Sequence, residues 1–246
     1  MTCGRKIGEF DCCSVVEGDI RGILPAVPSN SIYAVFTSPP YGLNRPYSEK
    51  FSDTLDYVSQ LVPTLFREAA RFIVSGGSLT INFDDLQVQR ICVAGDYYRW
   101  GKESDFVLEA RRIWKKDPAW MNCQWVGLGD IPVLEWEYVW TWRKGKPRRL
   151  KGFKPALRSI WEIRSVNRNK NHPAQFPEEL SDYVLNTYTV VGDIVLEPFA
   201  GSGATLLSAK KLGRHFLGID IEPKYCEIAR QRLAEVPWHP AIKVET

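Results

Sequence analysis

Ile194-Val195-Leu196-Glu197-Pro198-Phe199-Ala200-Gly201-Ser202-Gly203-Ala204-Thr205 is the stretch on which the reading of the chain turns. Its apolar opening forms a short buried strand, Pro198 ends that strand, and the Gly201-x-Gly203 turn leads into a helix running to Lys211. Gly213 stops the helix, and Phe216 to Ile219 form a further strand closing on Asp220, about 20 residues past the first glycine. Strand, glycine turn, helix, strand and terminal acid in this register make the nucleoside-binding unit of a doubly wound α/β sheet. The glycines let a ligand approach the backbone, and the distant carboxylate suits ribose hydroxyls. No Gly-x-x-x-x-Gly-Lys-Ser/Thr loop is present, which argues against a triphosphate.

Working outward to the N-terminal side, Ile32-Tyr33-Ala34-Val35-Phe36 reads as a second buried strand, and it runs into Thr37-Ser38-Pro39-Pro40-Tyr41. Two consecutive prolines lack N–H groups and fix φ, so the chain leaves the sheet in a rigid extended turn. Such a turn presents a hydroxyl at Ser38, free carbonyls and the Tyr41 ring. Read alone, it is a loop that ends a strand; the second half of the chain gives it a chemical setting.

Ahead of both centres, Ser14 to Glu17 is a strand candidate and Ile20 to Leu24 a helical turn. Between them, Asn44 to Ser52 suits a polar flap. Asp53 can cap a helix with apolar positions from Leu55 to Phe72, kinked or split at Pro63 and stopped by Gly76-Gly77. Ser78 to Phe83 is a strand. Residues 84–132 read as an insertion, with Phe106 to Ile113 the helical part. Trp136, Tyr138, Trp140 and Trp142 alternate with smaller or polar residues, a strand with one aromatic face. Ser159 to Arg164 would return antiparallel to it. Pro177 opens a helix, as does Pro223.

The chain of 246 residues fits one domain. No run of about 18 apolar residues could span a membrane, and no apolar signal region follows the first residues. Cysteines 3, 12, 13, 92, 123 and 226 are scattered without metal-ligand spacing, so the expectation is reduced thiols and no metal. The net charge of +3 conceals a basic segment, 143–170, with 11 Lys and Arg against one acid. Such a segment points to a polyanion, although a solvated loop has the same composition.

Taken together, these stretches resemble the β-class DNA amino-methyltransferases. Val195 to Gly203 resembles their S-adenosylmethionine loop, Thr37 to Tyr41 their catalytic loop, and Phe216 to Tyr225 their ribose-binding strand and following helix. His172-Pro173-Ala174-Gln175-Phe176-Pro177 resembles the element before the cofactor half. The resemblance spans roughly residues 14 to 235. It implies a Rossmann-like, doubly wound α/β methyltransferase sheet, circularly permuted with the catalytic half first, and a small irregular or antiparallel lobe. The implied cofactor is S-adenosyl-L-methionine. Phe199, Gly201 and Gly203 would line its methionine and sulfonium part, with Pro198 and Thr37 beside them. Glu197 would reach the amino group, Asp220 would hold the ribose, and Asp19 would sit near the adenine. His172 and Gln175 would close the methionine side.

The same resemblance makes Ser38, Pro39, Pro40 and Tyr41 the catalytic residues. Serine before Pro-Pro-Tyr is typical of the cytosine-N4 group and aspartate of the adenine-N6 group, so the favoured reaction is N4 methylation of a flipped cytosine in double-stranded DNA. Arg143, Lys144, Lys146, Arg148, Arg149, Lys151 and Lys154 are the expected DNA contacts. The alternatives are an adenine-N6 enzyme of the same fold, an RNA methyltransferase, and a silent DNA-binding paralogue, the last disfavoured by two intact loops. The expected setting is the cytoplasm, at the nucleoid. Monomer or homodimer, and a cognate restriction endonuclease, stay open.

Overall fold

The computed structural model describes residues 3–43, 53–85, 91–116, 135–147, 158–165 and 176–239. His172, Gln175, Arg148, Arg149, Lys151, Lys154 and the flap at 44–52 lie outside the described residues.

The chain opens with a hairpin of β1 (Lys6–Ile7) and β2 (Phe10–Asp11), followed by β3 (Ser14–Glu17), α1 (Ile20–Ile23), a 3-10 turn (Leu24–Ala26) and β4 (Ile32–Thr37). Next come α2 (Leu55–Phe72), β5 (Ile73–Phe83), α3 (Ala94–Glu103), β6 (Val107–Lys115), β7 (Trp136–Arg143) and β8 (Ile160–Glu162). The last part is α4 (Glu178–Tyr188), β9 (Ile194–Glu197), α5 (Ala204–Lys211), β10 (His215–Asp220) and α6 (Pro223–Glu235). Eight strands form one sheet in the order β3-β10-β9-β4-β5-β7-β6-β8. From β3 to β5 every neighbouring pair is parallel, and β7 alone among the described strands of this sheet runs against the rest.

Parallel strands covered on both faces are continuously apolar. All six residues of β4 are buried. Val35 joins the larger core cluster beneath α2, while Phe36 packs with Trp161, Leu180, Val184 and Tyr188 in a second cluster beneath α4. The aromatic alternation in β7 gives the ladder that the period of two requires. Ring centroids of Trp136 and Tyr138, Tyr138 and Trp140, and Trp140 and Trp142 are 4.8, 5.3 and 6.0 Å apart.

Five local expectations are corrected. Pro63 lies inside α2 without dividing it. The cost of an interior proline, about 3 kcal/mol, is outweighed by a buried stripe that includes Leu61, Val62, Leu65 and Phe66, each contributing about 1.5–3 kcal/mol. Thr54, not Asp53, caps this helix, accepting the Tyr57 N–H at 3.2 Å. The helix stops at Phe72, and Gly76-Gly77 lies inside β5, where the register against β4 jumps. A Cβ on Gly77 would meet the Tyr33 carbonyl oxygen at 2.5 Å, so the close approach of β4 requires glycine there.

Val107–Lys115 is a strand, not a helix, and α3 precedes it. Its Leu, Glu, Ala and Arg content favours helix, but the open edge of β7 offers an antiparallel ladder along its whole length. β7 is thus occupied on both edges by β5 and β6, so β8 pairs in parallel with β6 instead of returning against β7. The antiparallel part extends the main sheet rather than standing apart as a lobe. Among the described residues no helix is long and apolar enough to cross a membrane.

Candidate active site and cofactor cleft

The parallel strands deliver the chemistry to one edge, at their C-terminal ends, where open α/β sheets bind ligands. Glu197 ends β9 and is buried. Its Oε1 accepts the Phe199 N–H at 3.2 Å, and its Oε2 accepts the Thr205 hydroxyl at 2.7 Å. Burial pushes this carboxyl up to about 8, against the pull of those hydrogen bonds. Thr205 thus supplies a hydroxyl to Glu197 from the first turn of α5. Asp220 ends β10; its Oδ2 accepts the Gly201 N–H at 2.7 Å and its Oδ1 the Glu222 N–H at 2.9 Å. Burial raises it to about 6 despite those donors.

The glycine turn is therefore tied to the acid at the end of the neighbouring strand. Gly201 and Gly203 have φ of 49° and 84°, left-handed conformations that glycine adopts without strain. A Cβ on Gly203 would stand 3.0 Å from Ala229 of α6, so that position also serves close helix packing. Asp19 follows β3 on the same edge, capping α1 and bonding the Arg21 guanidinium. Burial opposes its charge, yet the Arg21 hydrogen bonds prevail and lower its pKa.

These residues fit the cofactor that the motifs imply. Three carboxylates face one edge, suited to an ammonium and to hydroxyls, and the turn between them carries no bulky side chain at its glycines. Thr37, at the end of β4, is fully buried, and its hydroxyl faces the Glu197 carboxyl. β4 and β9 pair at Val35 and Leu196, so Thr37 and Glu197 emerge side by side. The two loops predicted from sequence are neighbours in space.

In the second loop, Ser38 Oγ lies 3.2 Å from the Tyr41 hydroxyl, and that hydroxyl donates to Glu137 Oε2 at 3.1 Å. The other oxygen of Glu137 pairs with the Lys116 ammonium. Burial, followed by the Glu137 charge, holds the Tyr41 pKa well above its usual value. Asp53, fully buried, gathers the loop's backbone: its Oδ2 accepts the N–H groups of Tyr41, Gly42 and Leu43 at 3.1, 3.0 and 3.4 Å. Asp84, after β5, is raised to about 7 by burial and then by Glu137. A cavity of about 350 Å3 opens beside Pro40 and Tyr41, with Phe83, Asp84, Tyr97 and Trp100 among its walls.

Glu137, Asp53 and Asp84 do not stand out as site residues in the sequence. Glu137 lies in the alternating strand on the face opposite the tryptophans, and that alternation is the one signal that could have marked it. Of the expected DNA contacts, Arg143 and Lys144 are engaged within the protein. Arg143 is buried, donates to Glu109 Oε2 at 2.6 Å and to the Gly76 carbonyl at 2.8 Å. Lys144 donates to the Ile73 carbonyl at 2.6 Å. Arg143 pairs with Ser78 and Tyr138 with Phe83, so Arg143 stands at the end of β7 away from the Ser38–Tyr41 loop. Lys146 is exposed.

Comparison with known proteins agrees with this geometry. A family profile described as DNA methylase, of the N6/N4 methyltransferases, matches residues 32–231. The type II methyltransferase M.BglI of Bacillus subtilis is 28% identical, the match covering 88% of this chain and 84% of that protein. The crystal structure of TTHA0409 from Thermus thermophilus, complexed with S-adenosyl-L-methionine, superposes with a TM-score of 0.71 at 28% identity, covering 90% of this chain and 93% of that one. The PvuII DNA methyltransferase (cytosine-N4-specific) shares the fold, with a TM-score of 0.74 at 22% identity over 91% of this chain and 86% of its own. The chain belongs to the N6/N4 DNA methylase family, whose members methylate amino groups of DNA with S-adenosyl-L-methionine as cofactor.

Proposed function

We propose that this methyltransferase modifies the N4 amino group of cytosine, flipped out of double-stranded DNA at a short specific sequence. The observation that carries the choice of base is the serine at position 38, in the place where the adenine group typically has aspartate. An exocyclic amine is a poor nucleophile because its lone pair is conjugated with the ring, and inside a duplex the target atom is out of reach. The protein's task is to present acceptors to the two N–H bonds.

The hydrogen-bond chain around Ser38 supports that role. Glu137, paired with Lys116, is an acceptor, so Tyr41 donates to it. The Tyr41 oxygen then accepts from Ser38, whose own lone pairs stay available for an amine. The Pro39 carbonyl is the second acceptor, since Pro40 offers no N–H to compete at that turn. The Tyr41 ring, fixed through its hydroxyl, forms a wall against which a flat base can stack, beside the aromatic side chains of the adjoining cavity. Bound S-adenosyl-L-methionine supplies the electrophilic methyl group. Glu197, Asp220 and Asp19 hold its polar ends, with His172 and Gln175 assigned to its methionine side by their motif. Phosphate contact falls to Arg148, Arg149, Lys151 and Lys154.

Methyl transfer from labelled S-adenosyl-L-methionine to unmethylated DNA, followed by digestion and nucleoside chromatography, tests the reading. N4-methylcytosine that disappears in Ser38→Ala is the expected result. N6-methyladenine would overturn the choice of base while leaving the family intact.

A further inference from the structure

At the opposite end of the sheet from the catalytic loop, three cysteines that look scattered in the sequence meet a histidine. Cys3, Cys12, Cys13 and His215 are all buried, and their ligand atoms all lie within 4.8 Å of one another. The Cys12 and Cys13 sulfurs are 3.5 Å apart, and Cys13 Sγ is 3.6 Å from His215 Nδ1. None of the three cysteines is in a disulfide. A tetrahedral zinc with Zn–S of about 2.3 Å and Zn–N of about 2.0–2.1 Å would separate its sulfurs by about 3.8 Å and sulfur from nitrogen by about 3.5 Å. The Cys12–Cys13 and Cys13–His215 separations are already close to those spacings, and the remaining ones, within 4.8 Å, would close by about 1 Å at most.

The backbone shows how adjacent thiols come to share a centre. In an extended strand, Cys12 and Cys13 would point to opposite faces. Cys13 instead has φ of 63°, a left-handed conformation that a non-glycine residue adopts only at a cost. It is held there by its N–H bond to the Phe216 carbonyl at 2.7 Å, while the Cys12 N–H bonds the Arg5 carbonyl at 2.9 Å. Buried cysteines commonly act as small apolar side chains. A histidine ring nitrogen directed at the thiols, in a turn bent to gather them, does not fit that role.

We propose that Cys3, Cys12, Cys13 and His215 bind one zinc ion as a closed structural site. Three thiolates and one imidazole favour zinc by ligand softness and tetrahedral geometry, and four protein ligands leave no position for substrate. Three thiolates around a divalent ion leave a net negative charge. Arg5, near Cys12, and Lys210, near Cys13, supply the opposite sign. His215 begins β10 and Asp220 ends it; at about 3.3 Å per residue the metal would stand some 16 Å from the cofactor acid. The site clamps β1 and β2, two-residue strands with little stability of their own, onto the strand that carries Asp220. The family profile begins at residue 32, after all three cysteines, and does not describe this site.

The test is metal analysis of the full-length protein after dialysis against metal-free buffer, by inductively coupled plasma mass spectrometry. About one zinc per chain is expected, retained in Cys92→Ser and lost in Cys12→Ser. Should Cys12→Ser fail to fold, cobalt(II) exchanged into the unaltered chain reports directly. Thiolate-to-cobalt charge-transfer bands with intense tetrahedral d–d bands support the site. A metal-free chain lacking those bands, full zinc content in Cys12→Ser, or a disulfide among the three cysteines in the purified protein would overturn it. None of these readings depends on methyl transfer or on the choice of base.

Discussion

The Tyr41 hydroxyl donates to Glu137 Oε2 at 3.1 Å, joining the Pro39-Pro40 loop to a strand 96 residues further along the chain. A Pro-Pro loop fixes backbone direction, but it does not fix the rotation of a hydroxyl. Glu137 does so indirectly, because an acceptor-only partner imposes donor direction on Tyr41 and thereby on Ser38.

Removing either end of that chain should therefore affect turnover more than cofactor binding. Tyr41→Phe keeps the ring, and Glu137→Gln keeps the shape. Each should lower kcat by about 10- to 100-fold, the usual range for a hydrogen bond to a charged group, with the dissociation constant for S-adenosyl-L-methionine within about twofold of the parent. If the two act as one unit, the double variant loses little more than the worse single one. Fully additive losses would mean that Glu137 does not work through Tyr41.

Asp53 and Thr54 are adjacent but have different jobs, and kinetics should separate them. Thr54→Ala removes a helix cap, at a cost of about 1 kcal/mol in stability, and should leave kcat unchanged. Asp53→Asn weakens the acceptor shared by three loop N–H groups. It should cost about 1–3 kcal/mol and also lower kcat, because Ser38 and Tyr41 ride on that backbone. Thermal denaturation and steady-state kinetics on both variants decide it; equal kinetics would remove Asp53 from the site.

The basic segment divides in the same way. Arg143→Ala should lower the melting temperature, since it strips partners from Glu109 and the Gly76 carbonyl, and should leave the DNA affinity unchanged. Replacing Arg148 and Arg149 together should weaken binding to all sequences and reduce the salt dependence by nearly two counterions. Fluorescence anisotropy across a salt series measures both. An unchanged slope in the double variant would place the phosphate contacts elsewhere.

The two loops were legible because each joins a strand-forming run to residues with few conformational options, Pro39-Pro40 in one and Gly201-Gly203 in the other. Asp53 and Glu137 were not, since what they hold is a backbone turn or a distant hydroxyl, and no local spacing encodes such partners. Leu108 to Arg112 carries helix-forming residues, and only the free edge of β7 makes it a strand. The meeting of Cys13 with His215 is hidden by 202 intervening residues and by a left-handed turn that alternation rules do not foresee. Position 38, by contrast, was legible as a residue type, and its hydrogen bonding became clear only with Glu137 in place.

Glu197 makes stability and cofactor binding depend on pH in a definite direction. Burial raises its carboxyl from an ordinary value of 4.5 to about 8. In the cofactor-free protein the folded state therefore holds a proton that the unfolded chain has released, so stability falls as pH rises through that window. Asp220, raised from 3.8 to about 6, acts in the same sense over a lower range. Denaturation midpoints across the window should decline for the parent and decline less for Glu197→Gln, which has no proton to lose. A cofactor ammonium against Glu197 favours the ionised carboxylate, so binding near neutral pH should release protons. Calorimetry in buffers of different ionisation enthalpy measures that release, and Glu197→Gln should reduce it while weakening affinity. An unchanged proton release in the variant would move the ammonium contact away from Glu197.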